Sequence, residues 1–312
     1  MLARALRIAQ LLELAACLLA GGWLHASRGW GPLAVALGTV AWFLGIRLVL
    51  VLFSNGLAWI YRTPRAAGEE IGLAGTLRLL LGEWRALLLA NLVYLPWEDA
   101  AVRPDPPAAP AERIPVVLVH GYFANRGYFR PLLQRLEPLG IAPIFVPTCD
   151  AALGAPVEAF ADELHACIER IVARTGQPRV VIVGHSLGGL AGRTYLVRHG
   201  TRRVERLVTL GTPHHGTVLA RVGPGANARQ MEPRSRFLQE LERDEARAAG
   251  RPPTLSIYSR HDNMVFPQAT SRLEAARTVA IPGVGHIAML RSPLLLQVLV
   301  AELRDAGAAP PA

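Results

Sequence analysis

The stretch 179–193, RVVIVGHSLGGLAGR, leaves few architectures open. Val180 to Val183 is a β-branched run of the kind that parallel sheets bury on both faces. A tight turn centred on Gly184-His185-Ser186-Leu187-Gly188 follows, and small residues then open a helix continued by Leu190, Leu196 and Val197. In such a G-x-S-x-G pattern a sharp strand-to-helix turn lifts the serine Oγ clear of the sheet top. The glycines flank a residue with positive φ, where a Cβ on either side would strike the adjoining strand and helix. A helix starting at Leu187 aims free N–H groups and its positive dipole end at the serine, where an oxyanion would form. Among 29 glycines the bare pattern arises easily by chance, so its weight comes from the flanking strand and helix.

Around this turn strand and helix alternate. Strands are expected at 114–119, 142–147, 204–210, 254–258 and 277–281, and helices at 128–139, 156–175 and 293–304. That order predicts an α/β domain over 114–312, a mostly parallel sheet with helices on both faces and a site at the carboxyl ends of its strands. Residues 217–251 form a short insertion that reads equally as a mobile lid or as a cap packed permanently on a pocket.

A serine hydroxyl needs a base, and the base needs a carboxylate to orient it. After this kind of turn the partners follow in the order Ser, Asp or Glu, His. Asp262 directly follows the 254–258 strand; its bland reading is a turn or capping residue. Asp244 and the Glu240 to Glu245 stretch read as a solvated helix face. His286, in a glycine-bracketed loop, is the one histidine downstream of Asp262; its bland reading is a surface loop residue. His261 cannot easily fold back onto the adjacent carboxylate. Two amides are candidates for an oxyanion hole, that of Leu187 and that of Tyr122, which Gly121 lets turn inward; the alternative is a purely structural turn.

Taken together, 117–122 (VLVHGY), 184–189 (GHSLGG), 211–217 (GTPHHGT), 259–267 and Gly285-His286 resemble the α/β-hydrolase superfamily, in its bacterial triacylglycerol lipase/esterase branch, from Ile114 to Arg304. The resemblance implies an α/β-hydrolase fold and a carboxylic ester hydrolase with Ser186, Asp262 and His286 as triad, without a cofactor. It also implies that the stretch after the 204–210 strand lines the pocket, making His120, Gly121, His185 and His214 substrate-binding candidates. No metal is expected: His214 and His215 lack carboxylate partners, and no acidic cluster precedes His286 to match the structural calcium of some members. The expected partner is a lipid or other acyl ester. An acyltransferase or thioesterase using the same triad, or a non-catalytic membrane scaffold, is the alternative.

The first hundred residues are not part of that pattern. Arg4 and Arg7 precede an apolar run over 8–24 broken by Glu13, and a second run over 32–53 is long enough for a bilayer core of about 30 Å. Arg28 alone lies between the runs, whereas Arg62 and Arg65 follow the second, so residues 1–61 read as a membrane hairpin of two transmembrane helices with both ends cytoplasmic. The catalytic domain is then expected on the cytoplasmic side of an integral membrane protein, probed against a cleaved signal peptide as the competing reading. Arg47 is expected to snorkel to the interface, with an intramembrane role as the other possibility, and Trp42, Trp59 and Tyr61 suit an interfacial belt. Residues 62–101 hold a leucine-rich amphipathic helix in which Arg78, Glu83 and Arg85 interrupt the apolar face. It either packs on the globular domain or lies in the membrane interface beside the active site. Residues 102–113 read as a Pro/Ala-rich linker. The formal charge of +9 comes entirely from arginine and forms no basic stripe interleaved with aromatics, which argues against nucleic acid. Cys17, Cys149 and Cys167 are too scattered for a disulfide framework, and no obligatory protein partner is evident.

Overall fold

A computed structural model describes residues 1–65, 68–107, 111–141, 143–248, 250–274 and 276–310. The expected start of the second strand at Ala142, and residues 108–110 of the proline-rich segment, lie outside the described residues.

The helices are α1 (Leu2–Arg28), α2 (Pro32–Ile60), α3 (Gly72–Leu89), α4 (Glu98–Ala101), α5 (Arg130–Leu136), α6 (Val157–Thr175), α7 (Leu187–His199), α8 (Ala226–Gln230), α9 (Arg236–Arg247) and α10 (Pro293–Asp305). The strands are β1 (Val116–Val119), β2 (Ile144–Phe145), β3 (Val180–His185), β4 (Val204–Leu210), β5 (Thr254–Ser259) and β6 (Arg277–Ile281). They form one sheet in the order β2-β1-β3-β4-β5-β6, and every pairing is parallel. Alternate side chains of the central strands point to opposite faces. Val116, Leu118, Val181 and Val183 pack with Leu132, Leu136, Leu295 and Leu299 of α5 and α10, while Val117, Val119, Val180 and Ile182 pack with Phe160, Leu164, Ile168 and Leu190 of α6 and α7. The sheet order reverses between β1 and β3, and the crevice at such a switch point is where this architecture places a ligand.

Prolines account for two departures from expectation. The second strand shrinks to two residues, since Pro143 and Pro147 bracket it and neither has an N–H to donate. The helix expected at 128–139 is divided into a 3-10 turn, α5 and a second 3-10 turn, with Pro131 and Pro138 near the breaks.

The N-terminal segment forms an antiparallel hairpin of α1 and α2, closed so tightly that a Cβ on Gly21 would lie 2.3 Å from Val35 Cγ1. Only α2 among the described helices is long and apolar enough to cross a membrane, with a mean hydropathy of 2.2 over its best window. Arg47 does not snorkel. It is buried and bidentate to Glu13 of α1, with Nη2 donating to Oε2 at 2.7 Å, while its Nε and Nη2 also donate to Asn91 Oδ1 at 3.2 and 3.1 Å. Glu13, which interrupts the first apolar run, is therefore the counter-ion of the charge that interrupts the second. A π-helical turn, Ala90–Tyr94, prolongs α3 and supplies Asn91.

Helix α3 inverts the usual arrangement. Leu73, Leu77 and Leu81 are exposed, whereas Glu83 is fully buried beside Leu79 and Ala86. Glu83, one of the charges that interrupt the apolar run, thus points into the protein. Trp84 is half-buried, its Nε1 donating to Leu44 O of α2 at 3.0 Å. The same helix accordingly packs against the rest of the protein on one side and presents leucines outward on the other.

Candidate active site

Ser186 ends β3 and starts α7 with φ 56° and ψ −123°, a conformation rarely populated by a residue bearing a Cβ. Its N–H donates to Leu210 O at 2.8 Å, which ties the turn to β4. The flanking glycines are obligatory by contact. A Cβ on Gly184 would lie 2.6 Å from the backbone of Gly188 and Gly189, and one on Gly188 would lie 2.2 Å from Val119 O. The close packing of strand, helix and neighbouring loop holds the strained serine in place.

Asp262 leaves β5 and is 1% exposed. Its Oδ1 accepts the N–H groups of Met264 and Val265, each at 2.8 Å, and its Oδ2 lies 2.8 Å from His286 Nδ1. A carboxylate so bonded fixes the imidazole with its proton on Nδ1, leaving Nε2 for other partners. Burial by itself pushes the His286 imidazole down, but the charge and hydrogen bond of Asp262, together with the charge of Glu83, outweigh it and hold the group above its ordinary value. Ser186 and His286 line one cavity of about 440 Å³ without a direct hydrogen bond between hydroxyl and imidazole; such bonds often close only when substrate is bound.

The cavity is apolar. The 217–251 insertion contributes Leu219, Ala220, Val222, Ala228 and Met231, and the loops after β1 and β5 contribute Gly121, Tyr122, Met264 and Val265. A third part of the wall comes from the N-terminal helices, through Leu2, Leu6, Leu87, Ala90 and Asn91. The sequence placed the 62–101 helix against the globular domain or beside the site, but held no signal for Leu2 and Leu6 of α1. Tyr122 lines the cavity with its hydroxyl donating to Pro224 O at 2.5 Å, and no hydrogen bond occupies its amide or that of Leu187 among the described residues.

The four substrate-binding candidates separate. Gly121 and His185 line the cavity. His185 is held by Tyr128 Oη (3.4 Å) and His286 O (3.3 Å), and burial, followed by the neighbouring His286, pushes its pKa well below the ordinary value. His120 and His214 lie behind the wall. His120 accepts the Cys149 N–H at 3.0 Å, and burial pushes its pKa down to about 4. His214 is fully buried between Thr209 Oγ1 at 3.0 Å and the Arg193 guanidinium, itself bidentate to Glu245. Both histidines anchor the loops that carry the wall. Of the GTPHHGT stretch, Pro213 and Thr217 reach the cavity.

Residues that the sequence did not single out bind these loops to the N-terminal helices. Glu83 accepts the Ile287 and Ala288 N–H groups, each at 2.9 Å. Asn263 donates to Ser54 Oγ at 2.8 Å and accepts the His286 N–H at 2.9 Å. Gln268 donates to Asp262 O at 2.9 Å and accepts the Thr63 N–H at 3.1 Å.

Comparison with known proteins agrees with this architecture. Residues 114–232 match the family model described as alpha/beta hydrolase fold. Triacylglycerol lipases of Pseudomonas fragi (34% identity, 35% of this chain, 37% of the relative) and Burkholderia plantarii (34%, 39% and 35%) are similar to part of this chain. The chain thus spans little more than a third of the length of these curated relatives. Among solved structures, mature Bacillus licheniformis lipase BlEst2 superposes with a TM-score of 0.51 at 18% identity, covering 65% of this chain and 95% of that one. Aspergillus fumigatus lipase B gives 0.52 at 21%, covering 64% and 54%. The domain after residue 113 has the α/β-hydrolase fold, with a fully parallel sheet among the described residues.

Proposed function

We propose that this chain is a serine carboxylic ester hydrolase that cleaves acyl esters of lipids while anchored in a membrane by its N-terminal helices. The observation behind this reading is His286, paired with Asp262, sharing an apolar cavity with a serine held at positive φ on a strand-to-helix turn. Ser186 Oγ attacks the ester carbonyl as its proton passes to His286 Nε2, and Asp262 holds the resulting imidazolium. The carbonyl oxygen gains the charge and is met by the Tyr122 and Leu187 amides at the positive end of α7. Collapse releases the alcohol, which takes the proton from Nε2. Water, deprotonated by the same nitrogen, then attacks the acyl-enzyme and frees the acid and Ser186.

The apolar wall suits an acyl chain, and the triacylglycerol lipase relatives support a lipid ester as substrate. Anchoring is supported by the length and composition of α2 and by outward-facing Leu37, Trp42, Val49, Leu50 and Phe53 along it. Arg7 lies over Trp97 at 5.1 Å and Arg62 over Trp59 at 4.9 Å, both at the hairpin end beside the catalytic domain. Basic residues at that end favour the cytoplasmic side for it.

The test is Ser186→Ala. Hydrolysis of p-nitrophenyl esters is expected to fall about 1,000-fold or more, with loss of labelling by a fluorophosphonate probe. Turnover close to wild type overturns the hydrolase reading, and release of the full chain from membranes by alkaline carbonate overturns the anchoring.

A further inference from the structure

We infer that Glu83 is a positioning residue for the base: reaching in from α3, its carboxylate clamps the loop that carries His286. This deepens the hydrolase reading and rests on it. Each carboxylate oxygen accepts one N–H from the two residues that follow the histidine, Ile287 on Oε1 and Ala288 on Oε2. The loop is shaped to admit the group, for a Cβ on Gly285 would lie 2.4 Å from Glu83 Oε2. From the other side Asn263 holds the His286 N–H and is itself bonded to Ser54 of α2. The histidine is therefore gripped twice, and both grips end on N-terminal helices.

A carboxyl with no exposed surface is costly unless its bonds require it. Burial pushes Glu83 above the ordinary carboxylate range, while the two amides and then His286 act in the opposite direction. The two N–H bonds act against that burial, because an ionised carboxylate accepts them more strongly than a neutral acid does. The titratable groups around the pair are Asp262, His185 and Tyr128. Burial pushes His185 towards its neutral form and raises Tyr128 well above its ordinary value, leaving Asp262 and Glu83 as the two carboxyl groups that act on His286. Glu83 thus does two things: it sets the height of the imidazole through the loop and adds a second negative charge beside the imidazolium formed when Ser186 loses its proton.

The experiment uses full-length protein in detergent, with wild-type hydrolysis and its loss in Ser186→Ala as the reference. Glu83→Gln keeps the shape, removes the charge and turns an NH2 towards one of the two amides. Expected for folded Glu83→Gln is a kcat lower by about 10- to 100-fold with KM little changed. The acidic limb of kcat/KM is expected to move down by about half a pH unit or more, because the imidazolium has lost one anionic neighbour. Glu83→Asp restores the charge and is expected to return the limb. A kcat within about twofold of wild type, or a lowered kcat with an unmoved limb as a purely structural residue gives, overturns the inference. Should Glu83→Gln fail to fold, Gly285→Ala decides: its methyl displaces the carboxylate, so kcat must fall, and a kcat within about twofold of wild type overturns the inference. An inactive wild type instead overturns the hydrolase reading beneath it.

Discussion

Gly188 shows how strictly one position can be constrained. Its α-carbon passes so close to Val119 O that a methyl group has no place without moving α7 or the loop after β1. Gly188→Ala is expected to destabilise the fold by about 1–3 kcal/mol, read as a lower denaturant midpoint at unchanged slope; an unaltered midpoint contradicts the packing described. This constraint was legible from sequence because a nucleophile turn writes its sterics into five consecutive residues. Asp262 and His286 were legible for a related reason, each following a recognisable strand in a fixed order. Glu83 was not, since a carboxylate among leucines reads the same whether it meets water or the amides of a loop 204 residues further on. Likewise nothing local distinguishes His185, on the cavity, from His120, behind it.

At the level of elements, the apolar runs marked α1, α2 and α3 but not what their faces meet. A 3.6-residue period reveals a stripe, and a leucine stripe turned outward has the same period as one turned inward. The Arg47–Glu13 pair was hidden in the same way, because pairing across a hairpin depends on how the helices are set against each other rather than on spacing along either. Glu13→Ala leaves the Arg47 guanidinium buried without a counter-ion, with Asn91, the Phe43 carbonyl and the Phe43 ring as its remaining partners, and is expected to cost about 3–5 kcal/mol. Replacing both charges by leucine and methionine should be milder than the single change. The thermal midpoints of the two variants in one detergent check this, and a double variant less stable than the single one contradicts it. The prolines that divide the 128–139 helix were visible in the sequence, and their effect follows from the lost N–H and fixed φ.

Across the whole molecule, the hairpin and α3 are fused to the loops of Asp262 and His286 rather than tethered to them. Ser54, Thr63 and Glu83 bond the loops of Asp262 and His286, and Leu2, Leu6 and Leu87 complete the cavity wall. Removing residues 1–101 therefore strips these three hydrogen-bonding partners from the loops of Asp262 and His286 along with part of the wall. The remainder is expected to yield no active ester hydrolase, measured by fluorophosphonate labelling of Ser186; a fully labelled, active fragment contradicts this. The sheet itself was readable from the alternation after residue 113, whereas this fusion was not, since it links segments that no local pattern relates. The outward leucines of α3 add one more consequence. Whatever surfactant or lipid coats Leu73, Leu77 and Leu81 touches the same short rod whose inner side grips the histidine loop. Turnover numbers taken in different micelles are then not repeat measurements of one quantity, and the choice of solubilising agent belongs among the reactants.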